Sequence, residues 1–231
     1  KNLKNVKVFG DPAYGVDMKT KGFFSTKNVL KKIKLEIPKG RKIFGINIRY
    51  EYFNGFKKKQ LDEFFKKISS LIEKIDKEFK PFFLFIPNCT YKHSNPWHND
   101  VLVHKSILKN LSRKIDYHFI KDDLNLFETL SLFKIVDLHI TNRRHSFIFS
   151  SLMNKPSIMI NGSWVYHQAP VLKELELSEQ LYNIKNPEKQ LIDKIKRTFV
   201  NYKKIQKTLK KNIRYLRDRS ESQINFLTNK I

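Results

Sequence analysis

Three consecutive basic residues, Arg143, Arg144 and His145, stand between a short β-branched run and an apolar run with helical spacing. The first run stops at the polar residues Thr141 and Asn142. In an open α/β sheet, ligands bind where the carboxyl ends of strands meet the N-termini of helices. There, backbone N–H groups without a helical partner and the helix dipole favour an anion. This segment therefore predicts a binding site for phosphate or carboxylate.

Strand-like and helix-like segments alternate around this site and predict the elements that position it. Strands are predicted at 42–49, 82–86, 116–120, 138–140 and 157–160, and helices at 57–79, 100–111, 124–133 and 146–153. We expect Asp122 or Asp123 to cap the helix at 124–133. Because the strands are apolar without alternation, both faces of the sheet should be buried. The repeated βα units predict an α/β fold, a Rossmann-like doubly wound parallel sheet.

The two ends of the chain differ from this alternation. From Pro187 onward, apolar residues recur at helical spacing as far as Leu216, which predicts a long C-terminal helix. Such a helix either crosses back to a preceding domain or lies on the surface with one apolar stripe, and the pattern fits both. Residues 17–40 are rich in Lys and Gly, and we interpret them as an interdomain linker.

The formal net charge of +24 would suit a nucleic acid or an anionic membrane as partner. Only nine of the 46 basic residues are arginine, however, and the lysines are scattered through every segment. Proteins that read phosphates and bases favour arginine, and no basic aromatic motif of the RRM type occurs. We therefore expect no specific nucleic-acid partner, whereas peripheral association with a membrane stays open.

Several classes of site lack their sequence signals. A single cysteine, Cys89, excludes an internal disulfide and a cysteine-based metal site. Neither H-E-x-x-H nor H-x-x-x-H occurs, and there is no G-x-G-x-x-G and no P-loop. No apolar run approaches the ~20 residues that span a bilayer. We expect a soluble protein, in the cytoplasm or at a membrane surface, without metal or cofactor and with its oligomeric state undetermined.

Four motifs, in the same order, resemble those of the polysaccharide pyruvyl transferase family. Residues 8–13 resemble its G-D-P-A motif, and residues 45–49 resemble its strand that ends in arginine. Residues 85–87, together with Asp100, resemble its F-I-P…D-D element. Residues 143–146 resemble its R-L-H-S motif. The likeness covers residues 6–177. The sequence departs from the pattern at Arg144, where the family has leucine, and at 161–164, which replace a Y-x-x-K element.

The resemblance implies the C-terminal half of a GT-B-like architecture with two Rossmann-like domains. On that analogy, residues 1–16 are the tail of a mostly absent N-terminal domain, 17–40 the linker, 41–186 the donor-binding domain and 187–231 a C-terminal helical segment. It also implies an enzyme that moves an enolpyruvyl-derived group from phosphoenolpyruvate to hydroxyls of a cell-surface glycan. The products would be a pyruvate ketal and inorganic phosphate.

The resemblance assigns donor binding to Arg49, Arg143 and His145. Phosphoenolpyruvate carries a phosphate and a carboxylate, and two guanidinium forks at strand ends suit these two groups. Without the resemblance, Arg49 would be read as an exposed residue paired with Glu51 or Asp100. His145 is expected to transfer a proton, because imidazole titrates in the required range, or alternatively to hold the phosphate by a fixed hydrogen bond.

Further candidates surround this donor site. Ser146 is expected to donate its hydroxyl or N–H to phosphate, or to cap the helix, and Arg144 to make a surface or rim contact. Asp100 is a candidate base or orienting group. The acceptor-side candidates follow predicted strands and are His98, Asn161, Gly162 and Trp164. Trp164 could stack on a sugar ring or simply pack, and His98 could be an exposed loop residue.

Two other functions compete with this hypothesis. A GT-B glycosyltransferase would share the architecture and would bind a nucleotide sugar, with residues 161–164 at the base or ribose. A non-catalytic module that binds polyanions would depend on overall charge and would show steeply salt-dependent binding.

Overall fold

The computed structural model describes residues 11–16, 25–50, 58–91, 98–161 and 165–228. The helices are α1 (Thr26–Lys32), α2 (Lys58–Phe79), α3 (Asp100–Lys109), α4 (Leu126–Phe133), α5 (Arg144–Leu152), α6 (Val165–Glu174), α7 (Glu188–Val200) and α8 (Tyr202–Thr228). The strands are β1 (Ile43–Asn47), β2 (Phe82–Phe85), β3 (Tyr117–Phe119), β4 (Leu138–Thr141), β5 (Ser157–Asn161) and β6 (Leu181–Asn183). Short 3-10 helices cover Pro12–Gly15 and Ser178–Gln180.

All six strands form one parallel sheet in the order β3-β2-β1-β4-β5-β6. This is the strand order of a Rossmann fold, and it confirms the predicted doubly wound α/β architecture. The order reverses between β1 and β4, which are hydrogen-bonded neighbours although they are far apart in sequence. In such sheets the ligand crevice lies beyond the carboxyl ends of the strands at this reversal point.

Helices cover both faces of the sheet because consecutive strand residues point to opposite sides. On β2, Phe83 and Phe85 belong to a core shared with α2, α3 and α7. Leu84, between them, belongs to a second core shared with α1 and α4. The residues of β1, β4 and β5 are buried throughout, as their continuous apolar runs predicted. A third core joins α5, α6 and α8.

Close packing between β1 and β4 requires a glycine. Gly45 is paired in register with His139, and a Cβ at Gly45 would lie 2.7 Å from the His139 ring and 3.0 Å from Val136. The His139 ring in turn packs edge-on against Phe133 of α4, with ring centroids 4.5 Å apart. The imidazole therefore occupies the space that a side chain at residue 45 would need.

Part of the predicted linker is packed into this fold. Residues 26–32 form α1, and Val29, Ile33 and Leu35 are buried in the core with α4. The Lys32 ammonium also binds both carboxylate oxygens of Glu128 on α4, at 2.7 and 2.9 Å. The segment looked like a linker because its few apolar residues are widely spaced.

The cap of α4 differs from the predicted one. Asn125, not Asp122 or Asp123, accepts the N–H of Glu128, and the Glu128 carboxylate accepts the N–H of Asn125. This reciprocal capping box satisfies two backbone donors at the start of the helix.

The helical pattern after Pro187 belongs to two helices on different faces of the sheet. The break falls at Asn201, next to Val200, whose side chain is 84% exposed. Leu191 and Ile195 of α7 enter the core with α2, whereas Leu209 of α8 enters the core with α5 and α6. Apolar spacing did not reveal the break because it continues through both helices.

Helix α8 also holds the start of the described chain. Tyr14, in the 3-10 helix Pro12–Gly15, is fully buried in the same core as Leu209 and Leu216. The carbonyl of Tyr14 accepts from the Arg217 guanidinium at 3.4 Å. The apolar stripe of α8 is therefore a core surface that fixes residues 12–15 beside α5. Among the described helices, none is both long and apolar enough to cross a membrane.

Candidate active site

The carboxyl ends of β1 and β4 place two arginines side by side. Asn47 and Thr141 are paired in register at the ends of these strands, and Arg49 and Arg143 each follow two residues later. Helix α5 begins directly after Arg143, which is its N-cap residue. The Arg143 side chain makes no capping hydrogen bond and therefore does not occupy the backbone N–H groups in the first turn of α5.

These residues line an open cleft of about 1140 Å³. Its cationic part contains Arg49, Arg143, Arg144 and His145, and its apolar part includes Leu126 and Phe149. The remaining lining residues come from several helices and loops: Pro12, Ala13, Val16, Asn88, His98, Leu124, Thr129, Asn142 and Gln168. The structure thus brings Arg49 from one predicted motif and Arg143 and His145 from another to one cleft.

A buried ion pair with Asp100 fixes the guanidinium of Arg143. Asp100 Oδ1 accepts from Nε of Arg143 at 3.0 Å and also from Nη2, while the Asp100 side chain is fully buried. Asp100 Oδ2 accepts from the N–H groups of Asn88 and Cys89 at 2.9 and 3.2 Å, and from Asn47 Nδ2 at 3.2 Å. Both carboxylate oxygens are therefore occupied, and Asp100 is not among the lining residues of the cleft. This geometry fits the orienting role and not the role of a base.

Asn142 binds the backbone of Arg49 at both of its polar atoms. The Arg49 N–H donates to Oδ1 at 2.8 Å, and Nδ2 donates to the Arg49 carbonyl at 2.7 Å. Gln168 of α6 in turn donates to the Asn142 carbonyl at 2.7 Å. Arg49 Nε is buried without a hydrogen-bond partner among the described residues. Of the two carboxylates suggested for Arg49 from sequence, Asp100 instead binds Arg143, and Glu51 lies outside the described residues.

Ser146 lies below the cleft surface and does not face it. Its side chain is fully buried, its hydroxyl donates to Asn47 Oδ1, and it accepts from Asn88 Nδ2 at 2.6 Å. The Thr141 hydroxyl donates to the same Asn47 oxygen at 3.4 Å and accepts from the Arg143 N–H at 2.9 Å. The Ser146 hydroxyl therefore joins the strand ends below the cleft, whereas the expected contact of its backbone N–H with phosphate stays a prediction.

Arg144 and His145 lie at the exposed rim. The Arg144 guanidinium binds Asp11 Oδ2 at 2.6 Å, with side-chain exposures of 43% and 9% for the two residues. Asp11 Oδ1 meanwhile caps the 3-10 helix Pro12–Gly15 by accepting from Ala13 N–H at 2.9 Å. The His145 ring is stacked on Phe149, with centroids 6.3 Å apart. The ion pair thus ties residues 11–15 to the start of α5.

The acceptor-side candidates have different positions. His98 lines the cleft, and its carbonyl accepts from Arg143 Nη2 at 3.5 Å. Asn161 ends β5 and is only 2% exposed, and it is not a lining residue. Gly162 and Trp164 lie outside the described residues. Neither contribution to an acceptor site is therefore tested.

Two other histidines are structural. His104 and His139 are fully buried, and burial lowers the pKa of His104 to about 4 and that of His139 to about 3. His104 Nε2 accepts from the Ile48 N–H at 3.1 Å, directly after β1. Both rings are therefore neutral at pH 7. Within the described ranges, no group of three or more His, Cys, Asp or Glu side chains could hold a metal ion.

Sequence reasoning missed the amide side chains that organise this site. Asn47, Asn88 and Asn142 each follow or end a strand, and each hydrogen-bonds to a second element at the carboxyl edge of the sheet. Their positions at strand ends were the available signal, since polar residues there are the ones that can face the crevice.

Comparisons with known proteins agree with the fold and the motifs. The family model for polysaccharide pyruvyl transferase matches residues 1–163. No curated protein matches the chain in sequence.

Several solved structures share the fold. UDP-GlcNAc 2-epimerase from Neisseria meningitidis, bound to UDP-GlcNAc, has 14% identity and a TM-score of 0.56, over 88% of this chain and 48% of that one. ADP-heptose LPS heptosyltransferase II from E. coli has 12% identity and a TM-score of 0.54, over 80% of this chain and 53% of that one. A UDP-forming α,α-trehalose-phosphate synthase from Burkholderia vietnamiensis has 12% identity and a TM-score of 0.55, over 96% of this chain and 51% of that one. The chain thus spans about half the length of each of these proteins, and the likenesses show the α/β fold alone.

Proposed function

Because the chain belongs to the polysaccharide pyruvyl transferase family, we propose that it transfers an enolpyruvyl-derived group from phosphoenolpyruvate to a glycan of the cell surface. The products are a pyruvate ketal on two hydroxyls of the glycan and inorganic phosphate. The donor occupies the cationic part of the cleft and the glycan the remainder.

The observation that carries this proposal is the convergence of Arg49 and Arg143 beside the start of α5. Phosphoenolpyruvate presents two anionic groups a few bonds apart, and two guanidinium groups from adjacent strand ends suit such a pair. The first turn of α5 adds backbone N–H groups and the positive end of the helix dipole. The buried carboxylate of Asp100 holds Arg143 in place before the donor arrives.

The reaction fixes what the side chains in the cleft must do. Two glycan oxygens form bonds to C2 of the donor, the C2–O bond to phosphate breaks, and C3 gains a proton to become a methyl group. Of the two protons that the hydroxyls release, one balances the proton gained at C3 and the other leaves with phosphate. His145 lies beside Arg143 on the cleft wall and is the group proposed to transfer a proton.

The size of the cleft supports a second ligand next to the donor. Ligand pockets commonly enclose ~300–1,000 Å³ for a drug-sized molecule, and the cleft has about 1140 Å³. A three-carbon acid at the arginines would leave most of this space open. The apolar side chains of Leu124, Leu126 and Phe149 border the open part and can pack against the C–H face of a sugar.

Phosphate release tests the proposed function. The full-length protein is incubated with phosphoenolpyruvate and a panel of cell-surface glycans, and inorganic phosphate is followed with time. We expect release that depends on both substrates, and calorimetric binding of phosphoenolpyruvate that is lost in Arg143→Ala. No release with any glycan, together with no binding of phosphoenolpyruvate, would contradict the proposal.

A nucleotide sugar is the second candidate for the donor. The epimerase from Neisseria meningitidis that shares the fold was solved with UDP-GlcNAc, and helix N-termini bind diphosphates as well as a single phosphate. Thermal shifts with UDP, GDP and phosphoenolpyruvate separate the two candidates. Stabilisation by a nucleotide diphosphate, without an effect of phosphoenolpyruvate, would favour this second function.

A further inference from the structure

Asn88 follows β2 at the carboxyl edge of the sheet and lines the cleft with Arg49 and Arg143. It differs from them because its side chain carries an acceptor as well as donors. Which of the two amide atoms is already used follows from its buried neighbours.

The amide of Asn47 has only one orientation that satisfies its surroundings. Its Nδ2 lies 2.7 Å from the carbonyl oxygen of Ile86 and 3.2 Å from Asp100 Oδ2, and both of these atoms are acceptors. Nδ2 must therefore be the donating atom, and Oδ1 the accepting one. Because the Ser146 hydroxyl bonds to Asn47 Oδ1, its only hydrogen is used there.

The same reasoning orients Asn88. Since Ser146 has donated its hydrogen, its oxygen can only accept from Asn88, at 2.6 Å, and the atom facing it is Nδ2. Asn88 Oδ1 is then the atom left over, and it is buried without a hydrogen-bond partner among the residues that the structure describes. A buried acceptor without a hydrogen-bond partner is energetically costly, so a ligand that donates a hydrogen bond to it binds more favourably.

The chemistry of the two substrates decides which of them can supply that hydrogen. This step rests on the proposed function. Ionised phosphoenolpyruvate has only acceptor oxygens, which suit the guanidinium groups of Arg49 and Arg143 and would be repelled by Asn88 Oδ1. A glycan hydroxyl is a donor. We propose that Asn88 recognises a hydroxyl group of the glycan through Oδ1 and thereby places it beside the donor, so that Asn88 determines acceptor specificity.

The test compares Asn88→Leu, which keeps a similar volume without polar atoms, with Asn110→Leu, the same change at the exposed C-cap of α3. For each full-length protein, phosphate release is measured against glycan concentration, and the Kd of phosphoenolpyruvate is measured by calorimetry. We expect Asn88→Leu to lower kcat/KM for the glycan about ten- to a hundredfold while the Kd of phosphoenolpyruvate changes less than threefold. Asn110→Leu should change neither.

A second variant and a matched pair of glycans keep the proposal testable if Asn88→Leu fails to fold. Ser146→Ala leaves Asn88 in place but removes the hydroxyl that orients its amide, and we expect a smaller loss in kcat/KM with an unchanged Kd. Wild-type protein should also discriminate against the mono-deoxy glycan that lacks the recognised hydroxyl, and Asn88→Leu should not. An unchanged kcat/KM for the glycan in both variants would overturn the role of Asn88 alone. No phosphate release by the wild-type protein would overturn the proposed function with it.

Discussion

The side chain of Asn142, after β4, holds the backbone of Arg49, after β1, at both its N–H and its carbonyl group, at 2.8 and 2.7 Å. The two residues are 93 positions apart in sequence, and they meet because the strand order of the sheet reverses at this point. The contact with Asn142 fixes the backbone of Arg49, and the ion pair with Asp100 fixes the guanidinium of Arg143.

Asn142→Ala should therefore weaken both the fold and the binding of an anion. Two backbone groups of Arg49 lose their partner, which we expect to cost about 1–3 kcal/mol in the free energy of unfolding. The affinity for phosphoenolpyruvate should fall about tenfold because Arg49 is no longer held. Urea denaturation and calorimetry check the two effects, and Asn110→Ala, at an exposed position, is the control. Undiminished affinity in Asn142→Ala would show that the position of Arg49 does not depend on this contact.

Asp100→Asn should be more damaging, since it leaves the Arg143 charge without its partner. The side chains are 0% and 16% exposed, and breaking a buried ion pair from one side costs about 3–5 kcal/mol. We expect a comparable loss in the free energy of unfolding and at least a tenfold loss in phosphoenolpyruvate affinity. Glu176→Gln removes an ion pair with Lys211 in which the side chains are 60% and 71% exposed, and it should cost less than about 1 kcal/mol. Equal effects of the two variants would contradict the role given to Asp100.

Arg144→Leu tests whether the rim residue is needed. The substitution introduces the residue that the family motif has at this position and breaks the partly exposed ion pair with Asp11. We expect at most about 1 kcal/mol of lost stability and less than a threefold change in phosphoenolpyruvate affinity. Arg143→Leu, one residue earlier, should reduce that affinity at least a hundredfold. If the two variants lose affinity equally, Arg144 contacts the donor directly.

Acid should destabilise the protein through its two buried histidines. Burial holds the folded-state pKa of His104 at about 4 and that of His139 at about 3, below the ordinary value of 6.5. Between these values and pH 6.5, the unfolded state binds more protons than the folded state does. The free energy of unfolding is therefore not reduced by the histidines above pH 6.5, and it decreases as the pH falls towards 4. Each histidine contributes at most about 1.4 kcal/mol per pH unit.

Urea denaturation at pH values from 7.5 to 4.5 measures this dependence. His104→Gln keeps an acceptor for the Ile48 N–H and removes the titrating group, so its stability should fall less steeply with acid than that of the wild type. A wild-type stability that is constant over the range would contradict the neutral, buried state of these rings.

The sequence alone determined the elements and much of the architecture. Continuous apolar runs such as 82–85 and 158–160 are typical of strands buried on both faces, which requires helices on both sides of a parallel sheet. Helix α2 was equally evident, because its apolar residues recur at helical spacing over six turns. The sequence did not predict the shorter elements α1, α6 and β6, because each depends on contacts with residues that are remote in the chain.

The sequence also placed basic residues at two strand ends, but only the tertiary structure decided how they are used. The reversal in strand order makes β1 and β4 neighbours, and this brings Arg49 and Arg143 into one cleft. Asp100 and Ser146 turned out to be buried supports because their hydrogen-bond partners come from other strands. A residue's type and its position along the chain limit the bonds it can form. Which of those bonds form depends on the neighbours that folding supplies, and these come from distant parts of the sequence.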